Sequence, residues 1–143
     1  MKLSTRTRYG MRAVIELAQH KEKRPLQLKA IAERQDISVK YLEQLMSMLR
    51  SSGLLRSIRG AKGGYILARP PEQINLSEIF RCLEGPVTTA ECTENSDYCE
   101  RSADCVAREV WIEVETAIQK ILRSITLADL VKRAKKHAAS YQI

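Results

Sequence analysis

Aromatic residues are scarce, at 5% of the 143 positions, with one Trp and one Phe. The apolar stock is mostly Leu, Ile, Ala and Val, a mix that favours helices over a β-sandwich. No apolar run approaches the roughly 18 residues a membrane helix needs, so no membrane contact is expected. The opening residues, MKLSTRTRYGMRAV, hold no apolar stretch of signal-peptide length, and a cytoplasmic location is expected. Histidine occurs twice, as His20 in a polar loop and His137 near the C-terminus. No nucleophile–base pair or carboxylate pair stands in a recognisable motif, so an enzyme is not expected. With 44% hydrophobic and 29% charged residues, disordered and collagenous classes are excluded.

Acidic residues are scarce in one half only. Residues 1–69 hold 15 basic and 5 acidic side chains, whereas residues 70–143 hold 9 basic and 12 acidic. The N-terminal half is therefore a candidate polyanion binder, and the C-terminal half is not.

Apolar residues recurring every three or four positions predict a helix over 4–19, with Tyr9, Ala13, Val14, Leu17 and Ala18 inward and Ser4 or Thr5 as cap. A short helix over 27–35 follows the loop HKEKRP. A turn through Asp36, Ile37 and Ser38 leads to a longer helix, with Leu42, Leu45, Met46 and Leu49 inward and Gly53 as stop. The runs 54–58 and 64–68 flank Arg59-Gly60-Ala61-Lys62-Gly63, a hairpin signal. Pro70 and Pro71 close this unit. Asn75 to Gly85 reads as a helix, with Asn75 and Glu78 spaced as a capping box. Residues 86–104 have no usable periodicity and read as a loop, too long to lack an organiser. Residues 105–124 form the clearest long helix, with an apolar stripe through Val106, Val110, Trp111, Val114, Ala117, Ile118, Ile121 and Leu122. A last helix starts at Ser124 or Thr126, the latter paired with Asp129 as a capping box.

Helix, short helix, turn, longer helix and hairpin is the order of a winged helix-turn-helix. A recognition helix must present polar side chains to the major groove. Ser38, Lys40, Tyr41, Glu43, Gln44 and Ser47 are the outward positions on the third helix. Lys40 and Tyr41 can reach phosphates, Glu43 can accept from cytosine, and Gln44 can pair with adenine. The hairpin tip offers Arg59, Gly60 and Lys62: glycine admits close backbone approach, and arginine suits a narrow minor groove. A Walker loop at residues 60–64 is excluded, because Lys62 is followed by Gly63 rather than Ser or Thr.

Four cysteines stand at 82, 92, 99 and 105. Cys82 lies in an apolar-patterned helix and reads as a core thiol. Cys92, Cys99 and Cys105 do not match the usual paired zinc spacings. Thiolates are soft ligands suited to iron–sulfur clusters and zinc, and bound metal would organise the long acidic loop.

The segments KLSTRTRYGMRA, ISVKYLEQLMSMLRSSGLLRSIRGAKGGY, INLSEIFRCLEG and ITLADLV, with the three spaced cysteines, resemble the bacterial winged-helix regulators of the IscR type. That family also contains NsrR and CymR. The resemblance covers essentially the whole chain. It implies a mainly α fold: a winged helix-turn-helix DNA-binding domain (1–74), a connecting helix with a cysteine-bearing loop (75–104), and a dimerisation helix with a C-terminal helix (105–143). It implies a homodimer on a pseudo-palindromic duplex operator, held by the long helix crossing its twin. It implies an iron–sulfur cluster of the 2Fe–2S type on Cys92, Cys99 and Cys105, control of cluster-assembly genes, and a role for Glu43 in which DNA the cluster-free form accepts. CymR-like proteins lack the cysteine triad, which sets that branch aside. One departure matters. IscR completes its ligand set with a histidine three residues after the third cysteine, and here that position is Arg108, which cannot bind metal. NsrR-type proteins use an acid of the first helix, where Arg8 stands here. The fourth ligand is left open among Glu91, Glu94, Asp97, Glu100, Asp104, Glu109, a partner's group and solvent. The rival readings are a nitric-oxide or thiol-redox repressor of the same fold and a zinc-stabilised DNA-binding protein.

Overall fold

The computed structural model describes residues 1–22 and 24–140. Helix α1 (Thr5–Gln19) starts where Ser4 accepts the Thr7 N–H. Helix α2 (Leu28–Gln35) ends at Asp36, which takes a left-handed conformation. That turn leads at once into α3 (Val39–Ser51), capped by the Ser38 hydroxyl on the Tyr41 N–H. Gly53, at φ 77°, follows the end of α3 as expected. Strands β1 (Leu55–Ile58) and β2 (Gly64–Leu67) pair antiparallel, with Arg56 opposite Ile66. The architecture is the expected mainly helical winged helix with one small sheet.

Helix α4 (Leu76–Leu83) carries the capping box read from Asn75 and Glu78. The 86–104 segment is less irregular than expected. It folds into a single helical turn, α5 (Glu91–Glu94), and a 3-10 turn (Ser96–Tyr98). Runs this short leave no periodicity to read. Helix α6 (Val106–Ser124) starts directly after Cys105, and α7 (Leu127–Ser140) begins with the expected Thr126–Asp129 box.

One hydrophobic core joins α1, α2, α3, β1, α4 and α7. Ala13 and Val14 of α1, Ile31 of α2, Leu42, Met46 and Leu49 of α3, Ile79 and Leu83 of α4 and Leu127 of α7 are buried together. Burying each large apolar side chain contributes about 1.5–3 kcal/mol relative to exposure. The N-termini of α4 and α7 lie back to back: the Leu76 N–H donates to Ile125 O, and the Leu127 N–H donates to Ile74 O. The core therefore runs on past the prolines at 70 and 71. None of the α6 side chains is buried: Val106 is 72% exposed and Ile121 57%.

Candidate nucleic-acid interface and cysteine segment

The α3 face opposite the core is open to solvent. Lys40, Glu43 and Gln44 are exposed, and together with Ser47, Arg50 and Tyr65 they line one shallow cleft between α3 and β2. Ser38 is exposed at the helix start, with its oxygen engaged by the Tyr41 N–H at 3.1 Å and its O–H free to donate. Tyr41 is half-buried because its ring stands edge-on to Tyr9, with centroids 6.3 Å apart. The Arg12 guanidinium lies 5.3 Å from the Tyr9 ring centre. The α1 side of this face thus offers an arginine and a second tyrosine beside α3.

Arg59, Gly60 and Lys62 are all exposed at the hairpin tip. The tip is anchored from behind, since Leu26 and Tyr65 exchange backbone hydrogen bonds of 3.0 and 2.9 Å. A Cβ on Gly63 would sit 2.1 Å from Ile58 O, and one on Gly64 would sit 2.4 Å from Leu26 O. The glycines therefore let the wing fold back on itself and on the α1–α2 connection. Periodicity missed Arg12, Arg50 and Tyr65 and assigned Tyr9 inward. The alternation of Arg8, Tyr9 and Arg12 along α1 was the available signal.

All four cysteines are free thiols. Cys82 was expected in the core and instead lies half-buried at its edge, where Ser52 Oγ donates to its sulfur at 2.9 Å. Cys92 lies in α5, Cys99 follows the 3-10 turn and Cys105 stands at the start of α6. Two contacts tie this segment to α6. Arg108 Nε donates to Cys92 O at 2.9 Å. Glu115 accepts from the Thr89 hydroxyl at 2.9 Å and from the Thr93 hydroxyl at 2.6 Å. Partial burial pushes Glu115 up, but these hydrogen bonds and Arg108 outweigh it and hold its carboxyl below the usual range. The Glu91 carboxylate, by hydrogen bonding and by charge, pushes the Tyr98 hydroxyl up, and the sulfurs of Cys92 and Cys99 add to that field.

The sequence puts three thiols on one segment, and the fold does not bring them onto one point. Among the described residues no three Cys, His, Asp or Glu side chains converge to hold a metal ion. The donor chemistry nonetheless suits a thiophilic group. Cys99, Asp97, Glu100, Ser102 and Arg108 line a hollow of about 430 Å³. The buried Ser102 hydroxyl has no hydrogen-bond partner, and a ligand accepting in that hollow would satisfy it. Arg108 fills the position of the missing histidine as a hydrogen-bond donor, not a ligand.

Comparison with known proteins places this architecture. Residues 3–133 match the Rrf2 family model, described as an iron-dependent transcriptional regulator. The chain is 43% identical to the protein rrf2 of Nitratidesulfovibrio vulgaris over 94% of this chain and 89% of that protein. It is 41% identical to the regulator CymR of Bacillus subtilis over 99% of this chain and 97% of that one. The solved structure of T. potens IscR superposes with a TM-score of 0.78 at 44% identity, covering 96% of this chain and 90% of that one. CymR and IscR are similarly close, so overall likeness does not set the CymR branch aside. Members of the family are transcriptional regulators rather than enzymes. The chain belongs to the Rrf2 family of DNA-binding transcriptional regulators.

Proposed function

We propose that this regulator acts as a homodimer on a pseudo-palindromic duplex and that an iron–sulfur cluster on Cys92, Cys99 and Cys105 switches its operator choice. The reading is carried by one observation: the three-thiol segment is hydrogen-bonded to α6 through Arg108 and Glu115 rather than hanging free. The state of the thiols therefore has a mechanical route into the helical body. When bound, a cluster supplies oxidant-labile, redox-active iron, of the 2Fe–2S type by resemblance.

In this chain, Ser38, Lys40, Tyr41, Glu43 and Gln44 present the groove-reading face, one α3 per half-site. Arg59, Gly60 and Lys62 meet the flanking backbone. Tyr9, Arg12 and Arg50 extend the cationic, aromatic rim. The uncovered stripe of α6, with Trp111 43% and Val114 41% exposed, suits burial against a second copy. Arg108 keeps a positive charge beside the segment, held there by its hydrogen bond to Cys92 O. Cluster-assembly genes are the targets this reading favours.

A second reading is a metal-free thiol switch, in which a disulfide among Cys92, Cys99 and Cys105 joins two sulfurs instead of gathering three around a metal. The two separate on protein purified without oxygen, assayed for visible absorption, iron, acid-labile sulfide and zinc beside Cys92→Ala. Brown protein with iron and sulfide, both lost in the variant, is the expected result. Stoichiometric zinc in colourless protein would make the thiols structural. No metal after reconstitution would leave the thiol switch.

A further inference from the structure

Helix α1 begins with no acidic residue in its first turn, so beyond the Ser4 cap on the Thr7 N–H no local charge offsets its positive dipole end. The compensation comes from the far side of the chain. Glu84, at the C-terminal cap of α4, accepts the Ser4 N–H at 3.2 Å and the Ser4 hydroxyl at 2.6 Å, and the Thr7 hydroxyl donates to the same oxygen. In return, Arg6 Nε donates at 2.7 Å to Leu83 O, one of the unsatisfied carbonyls ending α4. The two helix ends cap each other.

The junction is also tightly packed. A Cβ on Gly10 would stand 2.5 Å from a methyl of Leu83, which is 1% exposed. Thr7 is 2% exposed, and its hydroxyl lies against the Glu84 carboxylate. Sliding α1 along α4 therefore costs polar and apolar contacts together.

Position gives the junction its meaning. Directly after Glu84 the chain turns through Gly85, at φ 98°, into the segment that carries Cys92. Within a turn after Thr7, α1 presents Tyr9, whose ring meets Tyr41 of the recognition helix. We propose that Glu84 is the positioning residue that couples the cysteine segment to the DNA-reading face: it locks α1 to the end of α4, and α1 sets where Tyr41 stands. The inference rests on the reading that the state of the cysteine segment alters operator affinity. Such coupling exists only if the two states differ in that affinity.

The test is operator affinity of the full-length protein, cluster-free and after anaerobic loading with iron and sulfide. The probe is a duplex selected by the wild type from a random pool. Wild type is expected to show a ratio of roughly 5–150-fold between the two states. Glu84→Gln and, as an isosteric second probe, Thr7→Val are expected to bring the ratio within about twofold of unity. Asp129→Ala removes a comparable cap at α7 and is expected to keep the wild-type ratio. Thermal melts establish that each variant folds. A full ratio in folded Glu84→Gln and Thr7→Val would overturn the proposal, as would loss of the ratio in Asp129→Ala. A wild-type ratio of one would instead sink the reading on which the inference stands.

Discussion

In the proposed reading, Lys62 and Gln44 act on the same duplex in different ways. Lys62 is exposed at the wing tip, where a flexible ammonium would meet phosphate and carry no sequence information. Gln44 is exposed on α3, where a bidentate amide would distinguish adenine from the other bases. Lys62→Ala is expected to weaken binding to all duplexes alike and to flatten the plot of log affinity against log salt by about 0.9. Gln44→Ala is expected to leave the salt slope alone and relax preference at one base pair, a loss of about 1–3 kcal/mol in discrimination. Anisotropy titrations over a salt series, on matched and single-mismatch duplexes, check both. A Lys62→Ala variant that changes base preference would contradict the assignment.

Helix ends were the most legible elements, because capping is local. Ser38, the Asn75–Glu78 pair and the Thr126–Asp129 pair each act over three residues, and each stands where its spacing puts it. The Glu84 cap was not legible, because its partners lie 77 and 80 residues away. Tyr9 was placed inward because an aromatic ring counts as apolar in a periodicity, yet it serves a neighbouring helix. The cysteines were found by spacing, but spacing says nothing of where the sulfurs point.

The same caps set the acid response. Hydrogen bonds from Ser4 and Thr7 hold Glu84 below its ordinary value of 4.5, and those from Thr126 hold Asp129 below 3.8. Glu115 is lowered as well. A depressed folded pKa means that the stabilisation is present above the ordinary value and is lost as pH falls through the folded one. Melting temperature is therefore expected to be flat from neutral pH to about 5 and to fall below about 4.5, less steeply in Glu84→Gln. A melting temperature that rises on acidification through that window would contradict this.

At the scale of the whole molecule, a basic N-terminal half and an acidic C-terminal half share one core. The end of α4 is where they meet: it seals the core through Leu83, caps α1 through Glu84 and launches the cysteine segment. Beyond that segment, α6 leaves an apolar stripe uncovered by its own chain. In the proposed reading, the DNA-reading face, the responsive segment and the assembly surface follow one another along the chain. The most direct test of the central claim is one protein preparation titrated onto one selected operator before and after oxidative removal of its iron and sulfide. A change in affinity that is absent from Cys92→Ala is predicted. Identical binding curves before and after removal, on every operator selected, would contradict it.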